Sequence, residues 1–120
     1  MVYDQSPALD RVFHALAHPA RRTMLQRLAN GERNLSELAA PLRMSFPAAS
    51  KHVRVLERAK LVRRRVVGRT HFCRVEGKPL ADASDWLENY RRSWERNFQG
   101  LDAVLDELKT EEAKRGKTKG

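Results

Sequence analysis

Along the first half of the chain, apolar residues recur at intervals of three and four, the mark of helices that bury one face. Leu9, Val12, Phe13 and Leu16 predict a first helix over 8–17, and Met24, Leu25 and Leu28 a second over 19–29. Pro19 divides them, because proline disfavours helix at the residue before it and suits the first turn of the helix it opens. Asn30-Gly31 is a stop signal for the second helix. After an extended link over 32–35, either Ser36 or Asn34, the latter with Glu37 three residues on, caps a third helix over 37–42 that buries Leu38 and Leu42. Ser45 caps a fourth helix reaching Ala59, with Pro47 in its first turn and Ala49, Val53 and Leu56 as its apolar stripe.

The period changes after Ala59. Residues 61–75 form two β-prone runs on either side of Gly68, a hairpin pattern with arginines on both arms. Helical spacing returns from Pro79: Leu80, Leu87, Trp94, Leu101 and Leu108 are seven apart, and Ala83, Tyr90 and Val104 take the second seam position, with Asn97 as its polar exception. One small domain cannot hide that much apolar surface on a single helix. A dimer seam is therefore expected, made by Leu87, Tyr90, Trp94 and Leu101 together with Leu9 and Phe13 of the first helix. Gly100 weakens the long helix by about 1 kcal/mol relative to alanine and predicts a kink or split there. The expected fold is mainly α with a β wing: one domain over 1–112, comprising a core over 8–78 and a dimerisation helix over 79–112. Residues 113–120 are expected as a disordered basic tail.

Charge sharpens this outline. The net charge is +9, and residues 43–78 hold eleven Lys and Arg against Glu57 and Glu76, while the rest of the chain carries thirteen of each sign. An excess confined to one third of the sequence suits a surface that meets a polyanion; the plainer alternative is an ordinary solvated face. Ala48, Ala49 and Ser50 keep the start of the fourth helix slim, and Ser50, Lys51 and Arg54 lie off its apolar stripe. A helix that enters a DNA major groove needs such a narrow, cationic first half. Arg69, beside the hairpin glycine, is placed to reach phosphates or the minor groove, and alternation along Arg63-Arg64-Arg65 turns part of that triplet, Arg64 included, toward DNA. The competing role for the triplet is a charged edge that deters strand pairing between molecules.

Other chemistries find little purchase. His14 and His18 are four apart, but Pro19 breaks the helix there and no cysteine stands close, so no metal and no cofactor are expected. There is no Gly-rich phosphate loop and no Ser/His/Asp or Cys/His arrangement, which points away from an enzyme. The polar opening over 1–4 and the lack of a run near ~20 apolar residues predict a soluble, cytoplasmic protein without a membrane partner. Cys73 is the single cysteine, which fits a reducing compartment and reads as a small buried hydrophobe.

Three segments together resemble the bacterial ArsR family of winged-helix regulators over about residues 8–108. Residues 15–22, Ala-Leu-Ala-His-Pro-Ala-Arg-Arg, are similar to the family's opening "ALA-x-P-x-R". Residues 35–39 and then 45–56, similar to "S-x-x-x-S-x-H-L-x-x-L", complete the set. The resemblance implies a homodimeric, sequence-specific binder of double-stranded DNA, usually a repressor acting on an inverted-repeat operator. It places the major-groove contacts on Phe46, Pro47, Ser50 and Lys51, beside the Ser45 cap, with His52 and Arg54 near phosphates. Phe46 and Pro47 depart from the family's commoner polar residues, so Ser50, Lys51 and apolar contact with thymine methyls must supply more of the readout. The cysteine pairs and histidine clusters by which many relatives sense metals are missing from residues 37–42 and from the last helix. The chain therefore resembles the branch without metal ligands, and its residues name no small-molecule inducer. A non-specific architectural nucleic-acid binder is the alternative that charge alone would permit.

Overall fold

The computed structural model describes residues 6–118, with side chains through residue 116. Residues 1–4, read above as a polar opening, lie outside the described residues, as do the last two of the tail. Among the described residues five helices and three strands follow in order: α1 (Pro7–Leu16), α2 (Pro19–Leu28), β1 (Arg33–Asn34), α3 (Leu35–Ala39) with a 3₁₀ turn (Ala40–Leu42), α4 (Phe46–Arg58), β2 (Val62–Val67), β3 (Thr70–Val75) and α5 (Lys78–Thr118). The fold is mainly helical with a three-stranded antiparallel wing sheet in the order β1-β3-β2. Two compact units divide at Ser84 and Asp85.

Local signals set most helix starts in the first unit. The Ser6 and Ser45 hydroxyls accept from the Leu9 and Ala48 N–H groups, both at 3.3 Å, and prolines occupy the first turns of α1, α2 and α4. At α3 the cap is Asn34, not Ser36. Its Oδ1 accepts from the Glu37 N–H at 2.8 Å while Glu37 Oε1 accepts from the Asn34 N–H at 3.3 Å, a full capping box, so the helix begins at Leu35 rather than at 37. Pro41 lacks the N–H that a further α turn would use, and the segment ends in the 3₁₀ turn. The expected extended link includes β1, whose Arg33 and Asn34 pair with Cys73 and Phe72.

Two junctions aim the wing. After α4, Lys60 takes the left-handed conformation (φ 63°), and the Lys60 and Leu61 N–H groups bond back to the Glu57 and Leu56 carbonyls at 2.9 and 3.0 Å. This Schellman closure turns the chain directly into β2. At the far end Val67 pairs with Thr70 across a two-residue loop, and Gly68 (φ +60°) takes its first position, as a II′ turn requires. Met24, Leu28, Leu35, Leu38, Val53, Leu56, Leu61 and Cys73 fill the core, and Ala83 joins it from the start of α5. Burial pushes the Cys73 thiol up from its ordinary pKa, which keeps it protonated and a poor nucleophile.

In the second unit, two expectations are corrected. The helix passes through Gly100 without a break: the glycine costs only about 1 kcal/mol, less than uncoupling the turns on either side. It also continues past Glu112 to Thr118, where a disordered tail was expected, because Glu111, Glu112, Ala113, Lys114 and Arg115 are all good helix formers apart from any packing. Leu87, Tyr90, Trp94, Phe98, Leu101, Val104, Leu105 and Leu108 are all exposed. The most regular apolar line passes through Phe98 and Leu105, so Asn97 is not an interruption of it. Trp86, Tyr90, Trp94 and Phe98 form a ladder of rings four residues apart, with centroids 5.0, 5.8 and 5.5 Å from one to the next.

Candidate nucleic-acid interface

Helix α4 presents three distinct flanks. Ala49, Val53 and Leu56 are buried. Opposite them Pro47, Lys51, Arg54 and Arg58 lie in one exposed row, and the three cations of that row make no ion pair among the described residues. Between these faces, on one side, Phe46, Ser50 and Glu57 meet the wing. Phe46, 47% exposed, stands edge-on to His71 of β3 with ring centroids 6.1 Å apart. The small residues Ala48 and Ala49 leave the first turn slim, as groove entry requires.

The arginine triplet of β2 separates by strand alternation. Arg63 and Arg65 are exposed and pair with Glu76 (3.0 Å) and Glu32 (2.8 Å), and Arg65 also lies over the Phe72 ring at 4.9 Å. Arg64 faces α4 with only 13% of its side chain exposed. Its Nε and Nη2 donate to Glu57 Oε1 at 3.0 and 2.7 Å, and Nη1 reaches His71 Nδ1 at 3.2 Å and Ser50 Oγ at 3.4 Å. The expected DNA contact by Arg64 therefore has its donors committed inside the protein. Arg74 also pairs with Glu76, at 3.6 Å. Arg69, at the hairpin loop, makes no ion pair among the described residues.

His52 lies on the other side of α4, against His18 and Arg21 at the start of α2. The signal that reading α4 alone misses is Arg21. Only 8% exposed, it donates from Nε to the Ala15 carbonyl at 2.7 Å and from Nη2 to the His14 carbonyl at 3.0 Å, and its Nη1 is 3.4 Å from His52 Nδ1. Arg22 donates to the Leu16 carbonyl at 2.7 Å. The two arginines of the Pro-Ala-Arg-Arg segment thus satisfy the open carbonyl end of α1 and place positive charge at the negative pole of that helix. Burial pulls the Arg21 guanidinium below its ordinary pKa. His18 caps α2, its Nδ1 accepting from the Ala20 N–H at 3.1 Å, and its ring lies 4.5 Å from that of His52.

Burial, followed by the nearby charges of His18, Arg21 and Lys51, depresses the His52 pKa. The neutral ring is the one that accepts from Arg21. Because the native value lies below the unfolded one, the unfolded chain takes up this proton first. The stability contributed is complete above about pH 6.5 and is lost as pH falls from there through the native value. Urea midpoints should therefore drop between pH 7.5 and 5.5. His52→Asn, which keeps an acceptor where Nδ1 stands, should flatten that drop. Identical pH profiles for the two proteins would show that His52 does not carry it.

The expected dimer residues fall in both units. Leu9 and Phe13 are half-buried against the core of their own protomer, whereas Leu87, Tyr90, Trp94 and Leu101 are exposed on α5. Among the described residues no helix is long and apolar enough to cross a membrane, and no three His, Cys, Asp or Glu side chains converge as metal ligands.

Comparison with known proteins agrees with this architecture. Residues 16–65 match a helix-turn-helix domain family. The chain is 35% identical to the HTH-type transcriptional regulator Rv2034 of Mycobacterium tuberculosis over 97 residues, 81% of this chain and 88% of that one. It is 26% identical to the transcriptional repressor SdpR of Bacillus subtilis, over 68% of this chain and 91% of that one. Among solved structures it superposes on the ArsR family transcriptional regulator RHA00566 with a TM-score of 0.71 and 37% identity, covering 78% and 97% of the two chains. The homodimeric winged helix-turn-helix DNA-binding domain Mb0332 of Mycobacterium bovis gives a TM-score of 0.56 at 25% identity, covering 81% and 94%. With a regulator this similar along four-fifths of its length, and the wing and helix order of those structures, the chain belongs to the ArsR family of winged helix-turn-helix transcriptional regulators.

Proposed function

We propose that the protein is a cytoplasmic homodimer that binds an inverted-repeat operator in double-stranded DNA and represses transcription there. The observation that carries this reading is the exposed row Pro47, Lys51, Arg54 and Arg58 along α4, its cations unpaired among the described residues, together with the equally unpaired Arg69 at the wing loop. Helix α4 would enter the major groove. Lys51 would read a base edge from its first half, Phe46 and Pro47 would lie against thymine methyls, and Arg54 and Arg69 would hold phosphates. The dimer reading is supported by the exposed apolar line on α5 and by the homodimeric state of the Mycobacterium bovis domain. Leu9 and Phe13, and separately Leu87, Tyr90, Trp94 and Leu101, would bury further against the second copy.

Titration of the protein against its own upstream intergenic DNA and a scrambled duplex of equal length tests the reading. A preference of ~10³ or more is the expected result for a site-specific regulator, and equal binding would favour an architectural role. Within the same assay, Lys51→Ala should cost roughly 1–3 kcal/mol and relax preference at one base position, whereas Arg69→Ala should weaken every sequence alike and make the salt slope shallower by about 1. Indistinguishable effects of the two substitutions would undo the division into base reader and phosphate clamp.

A further inference from the structure

We propose that Arg64 is a positioning residue for DNA recognition, holding the wing against α4 and presenting Ser50 to DNA as a hydrogen-bond donor without touching DNA itself. The inference rests on the DNA-binding reading above and deepens it. Arg64 differs from its two neighbours in every respect that matters: 13% of its side chain is exposed, against 68% for Arg63 and 61% for Arg65. Its planar fork is used on three partners. Two of them, Glu57 and Ser50, are on α4, and the third, His71, is on the facing strand of the wing. A guanidinium has only donors, so His71 must accept through Nδ1 and carry its proton on Nε2. Phe46 then packs edge-on against the same His71 ring. One seam of side chains, Phe46–His71–Arg64 with Ser50 and Glu57, thus fixes the wing to the flank of α4 that adjoins its exposed row.

The consequence for specificity falls on Ser50. Its Oγ accepts from Arg64, which directs its own O–H proton away from the guanidinium. A hydroxyl held this way favours base edges that accept: O6 and N7 of guanine, N7 of adenine or O4 of thymine. It disfavours the amino groups of cytosine and adenine. The wing loop carrying Arg69 is set by the same seam, so the spacing between Lys51 as base reader and Arg69 as phosphate clamp depends on a residue that bonds to neither.

Three variants of the full chain separate positioning from phosphate contact: Arg64→Ala, Arg64→Lys and Glu57→Ala. Each is titrated against the operator fragment and the scrambled duplex over a series of salt concentrations. If Arg64 positions, all three lose about tenfold or more of the preference for operator, while scrambled-DNA affinity and the salt slope stay at wild-type values, because no phosphate contact has gone. Lysine keeps the charge but cannot hold three partners, so it should fail as alanine does. If Arg64 grips a phosphate instead, Arg64→Ala weakens both duplexes and lowers the slope by about 1 per protomer, Arg64→Lys behaves as wild type, and Glu57→Ala is neutral or tightens binding. That pattern overturns the proposal. Retained binding to the scrambled duplex reports an intact fold, and should Arg64→Ala fail to fold, Arg64→Lys and Glu57→Ala decide alone. A wild-type protein with no operator preference would instead remove the DNA-recognition reading itself, an outcome distinct from either pattern.

Discussion

Raising the salt concentration from 50 to 200 mM is expected to weaken operator binding about 10⁴-fold, through a log–log slope near −7. The number follows from which cations are free. Residues 43–78 hold eleven Lys and Arg, and if all of them met phosphates in a dimer the slope would approach about −20. The structure removes four from that total, since Arg63 and Arg74 are held by Glu76, Arg64 by Glu57 and Arg65 by Glu32. Of the seven left, Arg43, Lys60 and Lys78 lie outside α4 and the wing loop, while Lys51, Arg54, Arg58 and Arg69 are on the outer face of α4 and at that loop; roughly eight such cations per dimer at the DNA face give the slope stated. Fluorescence-anisotropy titrations at five salt concentrations measure it directly. A slope steeper than about −13 would mean that the wing arginines exchange their carboxylates for phosphates; one shallower than about −3 would mean that this face is not the one that meets DNA.

Replacing Arg21 by alanine is expected to cost roughly 3 kcal/mol of folding stability, the largest loss expected from a single polar residue in the protein. Without it the Ala15 carbonyl loses its side-chain donor, the His14 carbonyl keeps only the Ala17 N–H at 3.2 Å, and His52 loses the donor at its Nδ1. For a unit of this size the loss corresponds to a fall in melting temperature of roughly 12–24 °C. Lysine at this position offers a point charge in place of a fork and should recover only part of the stability. Arg21→Met supplies the needed contrast because it keeps the stem volume without the donors. If Arg21→Met melted with the wild type, the hydrogen bonds would contribute nothing net and packing alone would explain the residue.

Much of this was legible before any coordinates, for a local reason. Ser45 and Pro47 start α4 within a single turn, Pro19 starts α2, and Gly68 marks the hairpin loop through the positive φ that its position demands. Caps, prolines and positive-φ glycines act on their immediate neighbours, so a one-dimensional reading suffices. The apolar stripe of α4 was equally plain, and with it which residues could face outward. Where two local signals competed, as Ser36 and Asn34 did for α3, the reciprocal bond to Glu37 decided, and only geometry reveals that it forms. At Gly100 the same locality misleads, since a penalty of about 1 kcal/mol is too small to break a helix supported on both sides.

The sequence by itself determined the order of elements, the concentration of positive charge between Arg43 and Lys78, and the outer row of α4, because periodicity, capping and composition are properties of neighbouring residues. Only the tertiary structure decided which of those charges are free. Arg63, Arg64 and Arg65 are identical in chemistry and adjacent in the chain, yet one is enclosed against α4 by Glu57, Ser50 and His71 while the others pair at the surface with Glu76 and Glu32. Arg21 likewise becomes a buried clamp on α1 only because α1, α2 and α4 bring Ala15, His14 and His52 to it. An arginine's role is set by where the acceptors are, and acceptors 31 residues away reach it only through the packing of elements that no local pattern describes.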